Sequence, residues 1–166
     1  MKRRIFGLGA MATLAVAGCS TKSKFRTYSG PEVTSIVVNK GQRRMYLLNN
    51  QDILKAYDFD LGFAPTGHKQ FEGDGKTPEG TYLIDRRNPR SQYHLSIGIS
   101  YPNSRDIANA IRAGRSPGGE IFIHGQPNNQ KVKRRDWTAG CIAVTNDEME
   151  EIYAMVRDGT IITLRP

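Results

Sequence analysis

The sequence predicts a mainly β domain with two short helices, and three observations carry that prediction. Short apolar runs recur along the chain with turn residues between them, as strands do. Only two stretches combine a helix start signal with an apolar stripe. About 135 residues behind the N-terminal segment are enough to bury one core without disulfide or metal staples. The chain has 166 residues, 38% of them apolar, with 24 Lys and Arg against 16 Asp and Glu. That balance excludes a disordered basic tail and favours a single folded domain.

The elements follow in order. Met1-Lys2-Arg3-Arg4 precedes an uncharged run from Ile5 to Gly18, well short of the roughly 20 apolar residues a membrane-spanning helix needs. A basic start, an apolar middle and small residues before Cys19 read as an export signal over residues 1–18. Val16-Ala17-Gly18-Cys19 resembles the lipobox of bacterial lipoproteins, which implies cleavage before Cys19 and acylation of its thiol. The competing reading is a buried N-terminal helix with an incidental cysteine. Arg3-Arg4-Ile5-Phe6 resembles the core of a twin-arginine signal. Removing residues 1–18 takes away three positive charges and leaves 21 basic and 16 acidic side chains, a net +5. Such a charge favours anionic polymers or membrane surfaces, and no nucleic-acid-binding motif accompanies it. Residues 19–32 are polar and read as a lipidated tether with roughly 20 Å of coil-like reach.

The domain proper spans 33–166. Strands are expected at Ser35–Val38, Met45–Leu48, Ile53–Leu61, Thr81–Ile84, His94–Ile99, Ile121–His124, Ile142–Val144 and Thr160–Leu164. A helix capped by Ser104 would carry Ile107, Ala108 and Ile111 on one side and end near Gly114. A second, opening with the Thr145/Glu148 capping box, would bury Met149, Ile152 and Val156 and stop by Gly159. The Gly- and Pro-rich stretch Gly73 to Gly80 reads only as a loop.

The chemistry concentrates in two short segments. Ile121-Phe122-Ile123-His124-Gly125 ends an apolar strand in a histidine, and Thr138-Ala139-Gly140-Cys141 opens another with a cysteine. An imidazolium beside a thiol lowers the thiol pKa and makes a thiolate nucleophile near neutral pH, so a depressed Cys141 pKa is expected. Gly140 lets backbone N–H groups approach a developing oxyanion. Against this stands the reading of Cys141 as a small buried hydrophobe and of His124 as a structural strand end. With Cys19 lipidated, Cys141 has no disulfide partner, which itself asks for an explanation. Zinc would need His68 and His94 as well, four scattered ligands in all. The run Lys131-Val132-Lys133-Arg134-Arg135 reads either as a solvated charged loop or as a basic lid beside the site, with Trp137 packing over it. Tyr93 and His94 read as structural.

His124-Gly125 followed by Thr138-Ala139-Gly140-Cys141-Ile142 resembles the signature of the L,D-transpeptidase catalytic domain, the YkuD-type family, in which a His-Gly precedes a Ser/Thr-x-Gly-Cys. Gly73-Asp74 with Lys76 to Tyr82, Gly98 to Asn103 and Gly118 to Ile121 match in the same order, over roughly Val33 to Pro166. The resemblance implies that family's β-sandwich-like fold and acyl transfer on peptidoglycan stem peptides. Cys141 would attack the L-centre of diaminopimelate, releasing D-alanine and leaving a thioester. His124 would act as base, its ring oriented by the Gly125 carbonyl. Backbone N–H groups around Gly140 and Cys141 would hold the oxyanion, with Thr138 shaping the loop. No metal or organic cofactor is implied.

Two positions depart from the common family pattern. Ala139 stands where many members have a second histidine, and Ala143 where many have an arginine that forks onto a substrate carboxylate. Trp137 to Asn146 is closer to a subgroup that includes a hydrolase releasing wall-attached lipoprotein. Three functions therefore stand: a lipid-anchored transpeptidase, a hydrolase using the same nucleophile, and a non-catalytic wall-binding lipoprotein. Ser20 after Cys19 resembles an outer-membrane sorting pattern, so the expected location is the periplasmic face of the envelope. The expected partners are stem peptides, the membrane through the lipid, and a wall-attached lipoprotein as substrate.

Overall fold

The computed structural model of the chain describes residues 23–166. Residues 1–18, expected to be an export signal, and Cys19 lie outside the described residues.

The eight expected strands are all present: β1 (Ser35–Asn39), β2 (Arg44–Asn49), β3 (Asp52–Asp58), β4 (Gly80–Asn88), β5 (Ser96–Ile99), β6 (Phe122–His124), β7 (Ile142–Ala143) and β8 (Ile161–Arg165). They form one sheet in the order β3-β2-β1-β8-β4-β5-β6-β7. Most pairs are antiparallel, but β1 runs parallel to the final strand β8, and β6 parallel to β7. The sheet curls until its ends meet. Asp60, just past β3, bridges Ala143 on β7 through paired backbone bonds of 2.8 and 2.9 Å, and Gly62 bridges Thr138.

Alternation sets the inner face. Ile36 and Val38, Met45 and Leu47, Tyr82 and Ile84, and Ile162 and Leu164 are buried at every second position of their strands, as a pleated sheet with one covered face requires. β5 is buried at all four residues. β4 runs past the expected Ile84 to Asn88 with a bulge between Ile84 and Arg86. Its charged end, Asp85-Arg86-Arg87, carries no apolar alternation and so leaves no strand signal in the sequence.

Both helices form. α2 (Asn146–Met155) starts at the expected Thr145/Glu148 capping box and buries Met149 and Ile152 against β5 and β6. α1 (Ser104–Arg112) differs from expectation twice. Its cap is Asn103, whose side chain accepts from the Arg105 and Asp106 N–H groups, with Asp106 completing the box. Its inward residues are Asp106 and Ala110, while Ile107 and Ile111 face solvent at 41% and 66% exposure. The polar network decides this orientation. Asp106 takes a hydrogen bond from Tyr82 Oη at 2.9 Å, from the Asn103 N–H at 3.0 Å, and pairs with His68 Nε2 at 3.1 Å. Turning the isoleucines inward would carry Asp106 out of this network and take its carboxylate from the buried Tyr82 hydroxyl, which costs more than leaving two apolar side chains wet.

Part of the segment read as a tether is fastened to the fold. Lys24 and Arg26 hydrogen-bond to the β4–β5 loop and to α2, so coil-like reach does not describe these residues. Among the described residues no helix is long and apolar enough to cross a membrane.

Candidate active site

The neighbouring β6 and β7, in parallel register with His124 opposite Ala143, bring the histidine and the cysteine loop together. His124 ends β6 with its ring buried, and Nδ1 lies 2.7 Å from the Gly125 carbonyl oxygen. A carbonyl only accepts, so Nδ1 carries the proton and Nε2 keeps its lone pair. Gly125 is tightly enclosed: a Cβ there would sit 2.6 Å from Asn146 Oδ1.

The cysteine loop is braced from inside. The Thr138 hydroxyl donates to the Cys141 carbonyl at 2.7 Å and accepts from the Gly140 N–H at 3.1 Å. Gly140 therefore contributes shape, since its N–H is already engaged. It sits at φ 130°, with an added Cβ only 2.6 Å from the Lys76 carbonyl, a place only glycine fits without strain.

The Gly73–Gly80 stretch, legible only as a loop in the sequence, forms this floor. Asp74 accepts from the backbone N–H groups of Gln70, Phe71 and Lys76 and from Lys69 Nζ at 3.0 Å. Burial alone would raise the Asp74 carboxylate, and these donors overcome it and hold the group below its ordinary value. Buried Lys40 braces the same loop, with Nζ on the carbonyls of Gly67 and Thr77 and on Glu79.

Two cavities flank Cys141. One of about 470 Å³ is lined by Arg90, Ser96, Glu120 and Phe122 among others; the second, about 580 Å³, by Asn128, Gln130, Trp137 and Ala139. Gln92, Tyr93, His124 and Cys141 belong to both. Tyr93 packs its ring 4.5 Å from that of His124, and Trp137 stands 5.6 Å from it, edge to face. Trp137 thus takes its expected place over the site, while Tyr93, read as structural, is a wall of it. Gln92, Glu120 and Arg90 carried no sequence signal of their own beyond the Gly118–Ile121 match.

The electrostatics differ from expectation. Burial pushes the Cys141 thiol above its ordinary value, with only partial relief from the Phe122 N–H and the Lys69 charge. Burial likewise lowers His124, against the pull of its Gly125 hydrogen bond. Both shifts favour a neutral thiol and a neutral imidazole at rest, not the expected thiolate–imidazolium pair. The thiol donates to the Glu120 carbonyl at 3.4 Å.

The other candidates lie apart. His68 pairs with Asp106 and His94 with Glu150, and among the described residues no three His, Cys, Asp or Glu side chains gather as a metal site. Lys133, Arg134 and Arg135 line a neighbouring cavity with Asp58, Asp60 and Glu148, and neither cavity at Cys141 includes them.

A thiol and a buried imidazole thus share two cavities on a curled, mostly antiparallel β-sheet. The family model of the L,D-transpeptidase catalytic domain matches residues 33–164, and the chain belongs to that enzyme family. YafK of Escherichia coli (strain K12) is 36% identical over 92 residues, 54% of this chain and 32% of its own length. The chain thus matches about a third of that relative. The helical cell shape determining protein Pgp2 of Campylobacter jejuni superposes with a TM-score of 0.61 at 26% identity, over 82% of this chain and 52% of that one. The Enterococcus faecium L,D-transpeptidase shares the fold with a TM-score of 0.53 at 16% identity, over 81% of this chain and 50% of that one.

Proposed function

We propose that the chain performs cysteine-dependent acyl transfer on peptidoglycan stem peptides at diaminopimelate, with Cys141 as nucleophile and His124 as base. The observation that carries this reading is the fixed tautomer of His124, its Nδ1–H on the Gly125 carbonyl and its Nε2 lone pair left for a proton. From a neutral pair, the thiol leaves the Glu120 carbonyl and turns toward Nε2. Sulfur bonds to the acyl carbon as its proton passes to the ring. The Gly140 N–H is held by Thr138, so the Cys141 N–H takes the developing oxyanion. Collapse breaks the C–N bond, the imidazolium returns its proton to the leaving D-alanine amine, and a thioester remains. An acceptor amine, deprotonated by His124, then completes transpeptidation.

Water in place of the amine makes the same centre a hydrolase, and one observation favours keeping that reading. Ala143 stands where the family's arginine is common, buried and backbone-paired to Asp60, so no fixed fork orders a carboxylate beside the nucleophile. Arg90 is the cation lining the cavity with Glu120, and it takes that carboxylate instead. The lipoprotein signal over 1–18, the lipid on Cys19 and a periplasmic place at the outer membrane complete the reading, supported by the lipobox residues and by the family's link to the wall. A wall-attached lipoprotein is the hydrolase substrate in that case. Incubation with sacculi and diaminopimelate tetrapeptides, beside Cys141→Ala, tests it: Cys141-dependent crosslinks mark the transferase, and new free carboxylates mark the hydrolase. Muropeptide binding without turnover would leave only a wall-binding role.

A further inference from the structure

The N-terminal segment is fastened at two points, and both lead to the wall of the site. Lys24 Nζ donates to the Pro89 carbonyl at 2.8 Å and to the His94 carbonyl at 2.9 Å. One ammonium thereby clasps both ends of the loop between β4 and β5. Gln92 and Tyr93, between those ends, line both cavities at Cys141, and Tyr93 packs on His124.

Arg26 fixes the strap to α2. Its guanidinium meets Glu150 at 2.9 Å, Asp147 at 3.1 Å and Glu151 at 3.3 Å. The second oxygen of Glu150 pairs with His94 Nε2 at 3.0 Å, so a continuous chain of polar contacts joins Arg26, Glu150, His94 and Lys24. His94 itself sits at φ 69°, a conformation a non-glycine residue keeps only where its surroundings hold it. Asn128 holds it from the inner side, accepting from the His94 N–H and donating to the Ser91 carbonyl, each at 3.0 Å. The strap holds it from outside.

We infer that residues 24–26 position the Gln92–His94 wall of the site, with Lys24 and Arg26 as positioning residues for the His124 and Cys141 pair. The inference goes beyond the proposed reaction and needs none of its substrates. Its consequence is mechanical: a pull on the chain before residue 23 acts on the site wall, so attachment at the N-terminus and reactivity at Cys141 are coupled.

The test uses the full chain as wild type, Lys24→Ala, Lys24→Arg and Arg26→Ala, at temperatures where circular dichroism shows each folded. Iodoacetamide alkylation is read on the Cys141 peptide by mass spectrometry, which separates it from Cys19. Acrylamide quenching reads Trp137, the single tryptophan. Loss of the clasp is expected to open the loop and speed Cys141 alkylation at least about fivefold in Lys24→Ala, the factor that one of its two lost hydrogen bonds represents. Trp137 quenching rises with it, Arg26→Ala moves both in the same direction, and Lys24→Arg restores both. A lowered melting temperature with unchanged alkylation and quenching overturns the inference, because the strap would then serve stability alone. Unchanged behaviour in all three variants overturns it as well. Neither readout requires turnover of peptidoglycan, so a failure of the proposed reaction leaves this result standing.

Discussion

At the scale of single residues, chemistry divides between groups that react and groups that hold them. His124 must be neutral to accept a proton, and burial lowers its pKa. Activity is therefore expected to rise with pH through a midpoint below the ordinary histidine value of about 6.5. A midpoint above that value in the pH dependence of kcat/KM would refute the buried neutral base. Thr138→Ala removes the bonds to the Cys141 carbonyl and the Gly140 N–H, and each such bond is worth about 1 kcal/mol. A loss of up to roughly thirtyfold in kcat with KM little changed is expected. Arg90→Ala should instead raise KM several-fold, since in the proposed reaction its cation, lining the cavity beside Cys141, would meet the substrate carboxylate and not the reacting atoms. That His124 and Cys141 would meet was legible in the sequence because each sits in a short motif at the end of its own strand. The direction of the thiol shift was not, because the burial that raises it and the Glu120 carbonyl that accepts its hydrogen bond come from distant segments.

At the scale of elements, α1 and α2 make a useful contrast. Both carry capping boxes, but only α2 turns its apolar stripe inward. Thr145→Ala is expected to cost about 1 kcal/mol through the lost cap, measured by urea unfolding. Ile107→Ser and Ile111→Ser, which the apolar spacing would score as core damage, are expected to change stability by less than about 0.5 kcal/mol. A loss of core size in either would show that α1 packs the other way. The sequence displays the isoleucine spacing openly, whereas the network of Asp106, Tyr82 and His68 that overrides it joins residues 24 and 38 positions apart. The Gly73–Gly80 loop teaches the same lesson. Its composition announces turns, and only the fold shows that Lys76 lies against Gly140.

At the scale of the whole molecule, the ends of the curled sheet and the N-terminal strap are closed by ionised carboxylates. Asp136 accepts from Arg43 at 2.7 Å and from the Leu61 N–H at 2.9 Å, beside the seam between β3 and β7. Glu150 anchors the strap. Burial would raise both groups, but Arg43 at Asp136, and Arg26 with His94 at Glu150, hold them below their ordinary values. Groups whose folded pKa is lowered stabilise the fold above the unfolded carboxylate values near 4, and that contribution disappears as pH falls through the lower folded values. Thermal midpoints should thus fall below about pH 4, and Asp136→Asn should flatten that dependence. Strand positions were legible because alternation is local. Sheet order was not, since the parallel pairing of β1 with β8 joins the two ends of the domain. The central claim, that Cys141 carries the acyl group, is tested most directly by intact-protein and product mass spectrometry after incubation with diaminopimelate tetrapeptides and sacculi. The expected result is an acyl adduct on Cys141 with release of D-alanine, both absent in Cys141→Ala. The same products from Cys141→Ala, or none from the wild-type chain while muropeptide binding persists, would contradict it.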